Sequence, residues 1–293
     1  MTAAAGTVPA VTIGVPVYNG ERYLDDALAA LAAQTFADFV VLVSDNCSTD
    51  GTPAILAKWA ARDPRFVVHR QPANIGAVPN FTWLLDQARS EYFMFAAYDD
   101  GWSPNYVAEL HRLFEHAPRA GLAVAQSVKM HPDGREDLRT PLPDTRNLPA
   151  WRRMAAHLLR AQSGWHYGLF RTSALRPAFA RSVDFGQAWA ADHLVVLPFL
   201  LADAVIGSNA ATFHQRQTTV SEARYKPRTL AAQWRLLSRF TAFSLAILKE
   251  APVPLGTKLA LLPFVLAFVN AKAWKFRRLL RSALLYPFRR IKA

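Results

Sequence analysis

The sequence predicts an α/β fold built on a doubly wound sheet, followed by a helical, basic carboxyl-terminal extension. Three observations carry that expectation. Short apolar, β-branched runs alternate with helical stripes through the first hundred residues, and each run ends in a polar loop. Residues 251–293 then hold nine Lys or Arg and no acid, which is +9 of the net charge of +12.

The elements follow in order. Val11–Val17 is apolar on both alternating faces, as a parallel strand covered on two sides requires, and it stops at Tyr18-Asn19-Gly20. Within 21–34, Leu24, Ala27, Leu28 and Leu31 fall at helical spacing and form one stripe. Phe39–Ser44 is the second strand. The polar turn Asp45-Asn46-Cys47-Ser48-Thr49-Asp50-Gly51 offers Ser and Thr as caps for a helix over Pro53–Ala61. Phe66–His69 is the third strand, Asn74-Ile75-Gly76 opens a helix reaching Ala88, and Tyr92–Ala97 is the fourth strand, ended by Tyr98-Asp99-Asp100-Gly101. That order is β-α-β-α-β-α-β.

Beyond Pro104 the pattern predicts a helix over Asn105–His116, a strand over Leu122–Val128 and a Pro- and Asp-rich loop over His131–Pro149. A helix over 150–161, the segment Gly164–Arg171, a helix over Ala191–Ala202 and a strand over Ala204–Phe213 follow, and the chain turns helical from about Pro227. The expected division is a sheet domain over 1–225, with halves 1–104 and 105–225, and an extension over 226–293.

Composition bounds the class. With 52% hydrophobic and 19% charged residues in 293, the chain can bury a sizeable core, and global disorder is excluded. The single cysteine, Cys47, removes any intrachain disulfide framework, fits a reducing compartment and has no partner base for a nucleophilic role. The start lacks a basic region followed by an apolar one, so the expected location is cytoplasmic. Thirteen uncharged residues between Lys258 and Lys272, broken by Pro263, would span about 20 Å as a helix against a hydrocarbon core of about 30 Å. An in-plane helix fits better than a crossing one. Beyond it, Trp274, Phe276, Leu279, Leu280, Tyr286 and Phe288 interleave with Arg and Lys, which favours a membrane surface on the inner face. A packed appendage or a second subunit comes next and leaves an oligomer open; nucleic acid comes last, because the apolar density is unusual for a phosphate-binding arm.

In open α/β sheets ligands sit outside the carboxyl ends of strands, where this chain carries Tyr18-Asn19, Asp45-Asn46 and Asp99-Asp100. Neither G-x-G-x-x-G nor G-x-x-x-x-G-K-S/T is present, which disfavours dinucleotide and P-loop sites. Adjacent carboxylates suit Mg2+ or Mn2+ shared with phosphate oxygens, although a plain turn uses the same residues.

Five segments in sequence change that weighting: VTIGVPVYN at 11–19, Ala33-Gln34-Thr35-Phe36, VVLVSDNCSTDGT at 40–52, Asn74-Ile75-Gly76, and Tyr98-Asp99-Asp100-x-Trp102-x-Pro104. Together they resemble the family-2 glycosyltransferases of the GT-A fold, clearly over residues 11 to about 110 and more weakly to about 222. The resemblance implies a Rossmann-like mixed sheet flanked by helices. It also implies inverting transfer of a hexosyl or deoxyhexosyl group from a UDP- or dTDP-sugar to a glycan or lipid-linked acceptor, as in cell-envelope polysaccharide or glycolipid synthesis.

Residue by residue, the resemblance implies that Pro16, Val17 and Tyr18 line the base and ribose, that Asp45 accepts from the ring N3–H, and that Asn74 lies in the nucleotide loop. Asp99 would meet the nucleotide's metal, Mg2+ or Mn2+, with Asp100 and His214 as further ligands and Arg216 near the diphosphate. Here the chain departs from the family's D-x-D element, because Ala97 stands where the first Asp is usual. Asp192, at the start of a helix, would be the general base, with Asp184 and Asp203 as weaker matches and a plain helix-terminal acid as the competing reading. Trp102, Trp165 and His166 would face the acceptor. The alternative is a non-catalytic, membrane-recruited carbohydrate-binding protein of the same fold, supported by Ala97. A sugar nucleotidyltransferase would need a Gly-rich, basic loop after the first strand, which Tyr18-Asn19-Gly20 does not supply.

Overall fold

The computed structural model describes residues 8–217 and 225–273. Contacts group them into two units. The first comprises the described residues up to Leu142, with Gly164–Pro177 and the stretch from Val205 to Gln217; the second comprises Pro143–Ser163, Ala178–Ala204 and the described residues from 225 onward.

The first unit is a mixed eight-stranded sheet in the order β3-β2-β1-β4-β7-β6-β8-β5. β1 (Val11–Val17), β2 (Phe39–Asp45), β3 (Phe66–Arg70) and β4 (Tyr92–Phe95) run parallel. β7 (Leu169–Arg171) is antiparallel to β4 and to β6 (Leu122–Met130); β8 (Val205–Arg216) runs parallel to β6 and pairs with the short antiparallel β5 (Gly101–Trp102). Every residue of β1 is buried, including Thr12, whose hydroxyl donates to Ser90 Oγ at 2.8 Å. Helices α1 (Leu24–Ala32), α2 (Thr52–Arg62), α3 (Ala77–Gln87) and α4 (Tyr106–Glu115) belong to this unit. The α1 stripe is the expected one: Leu24, Ala27, Leu28 and Leu31 are its buried residues. Each such leucine removed from water contributes about 1.5–3 kcal/mol.

One local expectation is corrected. Ser48 and Thr49 do not cap α2. Its N-cap is Gly51, and the carboxylate of Asp50 accepts from the Thr52 amide at 3.0 Å instead. Ser48 Oγ accepts from the Asn19 amide at 2.9 Å and the Thr49 amide donates to Asn19 Oδ1 at 2.9 Å, so these residues bind the loops after β1 and β2 together.

The second unit is helical. It holds α5 (Ala150–Arg160), most of α6 (Thr172–Asp184), α7 (Ala191–Leu201), α8 (Leu230–Glu250) and α9 (Leu255–Lys272); α6 carried no expectation from the sequence. His193 to Leu197 and Phe199 to Leu201 of α7 are all buried, the mark of a helix enclosed all round. α7 packs on α5 and α8, and α9 packs on the same two helices.

The uncharged stretch after Lys258 lies within an 18-residue helix that continues through Pro263. At about 27 Å it approaches the hydrocarbon thickness, and by length and composition alone it is the one described helix able to cross a membrane. The expectation of thirteen usable residues is corrected, because the helix begins at Leu255, before Lys258, and takes in Lys272 as its last residue. One face of α9 buries Leu261, Val265, Phe268 and Val269, while Leu255, Leu259 and Leu266 are exposed on it. Trp274, Phe276 and the aromatic and basic positions beyond lie outside the described residues.

Candidate active site

The loops at the carboxyl ends of β1 and β2 are bound by side chains rather than by sheet. Asn46 does most of this: its Nδ2 donates to Asn74 Oδ1 at 3.0 Å and to Gly76 O at 3.2 Å, and its Oδ1 accepts from the Ile75 amide at 2.9 Å. Asn74 Oδ1 also accepts from the Gly76 amide at 2.9 Å. Gly76, at φ 88° and ψ 163°, occupies backbone space that a side chain disfavours, so Asn-Ile-Gly is a conformational requirement. Asn74 is an exposed loop residue whose side chain serves this latch. Pro16 and Val17 are buried at the end of β1 and Tyr18 is half-buried beyond them, so Tyr18 is the member of the trio with accessible side-chain surface.

Asp45 is buried, and both its oxygens are engaged. The Ser48 amide donates to Oδ1 at 2.9 Å, and Arg70 Nη1 lies 2.5 Å from Oδ2. Arg70 ends β3 in register with Asp45, and its Nη2 reaches Ser48 O at 2.8 Å. The sequence reading missed Arg70. Register was the signal that could have found it, since parallel strands of known ends place 45 beside 70. An ionised carboxylate has roughly four lone-pair sites, so Asp45 retains capacity for another donor.

Asp100 is buried and Asp99 half-buried in the turn after β4. Burial raises the Asp99 carboxyl above its ordinary value; burial and then the neighbouring Asp99 charge raise Asp100 well above it. Arg216, at the end of β8, partly opposes both. Its amide donates to Asp100 Oδ1 at 2.8 Å and its Nε to the Asp99 carbonyl at 2.9 Å, while its guanidinium lies 4.6 Å over the Tyr23 ring. Gln34 ties α1 to this turn by donating to Ser103 O at 3.0 Å and accepting from the Val107 amide at 3.0 Å. The Ala-Gln-Thr-Phe segment is therefore structural.

The expected metal set of Asp99, Asp100 and His214 is not assembled. His214 Nδ1 lies 3.4 Å from Glu136, and among the described residues no three His, Cys, Asp or Glu side chains come together to hold an ion. Two adjacent acids do fit Mg2+ or Mn2+ arriving with donor phosphates, because such ions commonly take one or two carboxylates plus phosphate and water.

The three expected acceptor aromatics are core side chains. Trp165 is 1% exposed, Trp102 4% and His166 6%. His166 stacks on Phe95 at 5.2 Å and Trp102 meets Phe213 at 6.2 Å. Their faces are occupied by protein, which corrects the reading that they face the acceptor. Trp102 Nε1 is buried with no hydrogen-bond partner.

In the second unit Asp192 is half-buried in the first turn of α7, just after Ala190 at φ 67°. Asp203 is committed to Arg153, whose Nε donates to Oδ1 at 2.7 Å and whose Nη2 meets Oδ2, so it is a structural ion pair. Burial lowers His157 to about 4 and also lowers His193.

A sheet of this order with an acid pair after its fourth strand defines the GT-A fold. Staphylococcus aureus TarS, solved with UDP-GlcNAc, superposes with a TM-score of 0.65 at 19% identity, over 89% of this chain and 71% of that one. The mannosyltransferase PcManGT of Pyrobaculum calidifontis, solved with GDP-Man and Mn2+, gives 0.54 at 17% over 91% and 74%.

The chain belongs to glycosyl transferase family 2, whose model matches residues 12–174, more than half of it. An uncharacterized Mycobacterium tuberculosis protein is 34% identical over 42% of this chain and 37% of its own length. Bacillus subtilis TuaG, named "Putative teichuronic acid biosynthesis glycosyltransferase", is 32% identical over 32% of this chain and 37% of its own. The chain thus spans less than two fifths of these relatives.

Proposed function

We propose that this chain transfers a hexosyl or deoxyhexosyl group from a UDP- or dTDP-sugar, with inversion, to a glycan or lipid-linked acceptor in cell-envelope polysaccharide or glycolipid synthesis. The observation that carries the reading is the Asp45–Arg70 pair at the carboxyl ends of β2 and β3. Uracil and thymine present an N3–H donor flanked by carbonyl acceptors. A carboxylate accepts from the first and a guanidinium donates to a second, whereas cytosine N3 is an acceptor and would repel the carboxylate.

Tyr18 supports the reading as a stacking surface, and Asn74 as the latch that shapes the loop beside Asp45. Arg216, whose backbone and side chain grip the Asp99-Asp100 turn, is a cation for donor phosphate oxygens. A Mg2+ or Mn2+ ion on Asp99 and Asp100, bound with the donor, would offset charge on the departing diphosphate as a Lewis acid. Asp192 is the base that removes the acceptor hydroxyl's proton, since Asp203 is already paired. The uncharged exposed face of α9 supports contact with the membrane surface, where a lipid-linked acceptor is presented.

A thermal-shift panel of UDP, dTDP, GDP and CMP, with and without Mn2+, tests the donor site. A ligand at 100 times its dissociation constant adds about 2.7 kcal/mol. The expected result is stabilisation by UDP or dTDP, strongest with Mn2+ and lost in Asp45→Ala and Asp99→Ala. Stabilisation by GDP or CMP instead overturns the base assignment. Nucleotide binding without release of nucleotide from any sugar donor favours a non-catalytic carbohydrate-binding protein, the reading that Ala97 supports.

A further inference from the structure

The last described helix, α9, is more than an apolar surface, because its last turns are fastened to the segment that carries Asp192. Trp189 Nε1 donates to Ala273 O at 3.3 Å, and Lys272 Nζ donates to Ala161 O just after α5. The His193 ring meets Phe268 edge-on at 5.9 Å. Phe268 and Lys272 are four residues apart and so share one helix face. Positions 189 and 193 thus bracket Asp192 and both meet the end of α9. Between them Ala190 is held at φ 67°, a left-handed conformation that residues with a Cβ seldom adopt.

Taking Asp192 as the base proposed above, we propose that Lys272 is a positioning residue for it: its bond to Ala161 O fixes the end of α9, whose Ala273 and Phe268 in turn hold residues 189 and 193 at the entry to α7. Burial lowers Lys272 from its ordinary value while Asp192 opposes the drop, which agrees with the two charges sensing each other. Lys272 touches neither sugar nor acceptor in this role: it keeps the segment that carries Asp192 in place. It also makes α9 a working part of the second unit.

The test uses the full chain and follows nucleotide release from UDP-hexoses and dTDP-deoxyhexoses with water as acceptor. Lys272→Met is expected to lower kcat about tenfold, with the donor KM and the UDP-induced thermal shift unchanged. Lys272→Arg is expected to recover most of the loss, and Lys272→Met is expected to add nothing in an Asp192→Asn background. If Lys272→Met keeps wild-type kcat while Asp192→Asn loses it, the inference falls and the base assignment stands. If Asp192→Asn keeps wild-type kcat, the base assignment itself falls. Hydrogen exchange at residues 189–193 decides the brace without any substrate: faster exchange in Lys272→Met supports it and unchanged exchange overturns it. Should Lys272→Met fail to fold, Trp189→Phe removes the bond to Ala273 alone; a several-fold loss of kcat supports the brace, and wild-type kcat overturns it.

Discussion

The two units hold their candidate residues by opposite means. In the first, Asp45, Asn46 and the Asp99-Asp100 turn stand at strand ends, each held by short polar contacts to Ser48, Asn74 and Arg216 respectively, so residue identity is dictated position by position. In the second, Asp192 lies in the first turn of an apolar helix, and its neighbours Trp189 and His193 meet Ala273 and Phe268, about eighty residues on along the chain. Hydrogen-bonded loops make a site rigid but intolerant of change. Packed helices leave sequence freedom and concentrate function in one or two polar residues.

Separating the units by mutation tests that contrast. Asp192→Asn removes a base while leaving the helix start isosteric, so turnover is expected to fall about 10²- to 10⁴-fold with nucleotide binding intact. Steady-state nucleotide release alongside thermal shift measures both. Equal loss of binding and turnover would break the division of labour. Asp45→Ala should do the converse. It leaves Arg70 without its partner and the Ser48 amide without its acceptor, costing about 1–3 kcal/mol, and it abolishes the response to UDP. A calorimetric melt with and without UDP reads both effects.

The same contrast explains what the sequence made legible. β1 to β4 and the α1 stripe follow from period and burial, and Asn74-Ile75-Gly76 and Asp45-Asn46 stand out because turns admit few residues at φ > 0 or at latch positions. Arg70 and Lys272 were not singled out for their contacts, because register and helix packing create them and no local pattern records them, and Arg216, expected near the diphosphate, was not expected to grip the Asp99-Asp100 turn. The aromatic residues misled for a physical reason. A buried Trp165 and a sugar-stacking tryptophan have the same sequence signature, and only burial separates them.

Acid should pull the units in opposite directions. His157 has its folded value lowered from 6.5 to about 4 by burial, so the unfolded chain binds the extra proton. Its stabilising contribution is full above pH 6.5 and is lost as pH falls toward 4, to the extent of about 3 kcal/mol. Asp99 and Asp100 are raised in the folded state, so their burden grows as pH rises through and above the ordinary carboxylate range, and acidification relieves it. Hydrogen exchange at pH 7 and 5, corrected for intrinsic rate, is expected to show α5 and α7 losing protection while residues 99–102 keep or gain it. His157→Leu should abolish the loss in α5, and a uniform response of both units would refute the contrast.

The smallest effects come from a pair of reciprocal backbone changes. Gly76 and Ala190 both have positive φ, one with the residue that tolerates it and one without. Added at Gly76, a Cβ meets only Pro79 Cδ at 3.8 Å, so Gly76→Ala is penalised through φ and ψ alone, by about 1–3 kcal/mol, and should loosen the Asn46–Asn74 latch and weaken UDP binding. Ala190→Gly relieves strain, but the unfolded chain gains freedom worth about 0.5–1 kcal/mol, so the melting temperature should hardly move. Its effect should appear in turnover instead, because the entry to α7 is then defined by the α9 contacts without the steric narrowing a Cβ supplies. A lower kcat at constant melting temperature would mean that the second unit spends backbone strain on aiming Asp192, as the first spends hydrogen bonds on holding Asp45.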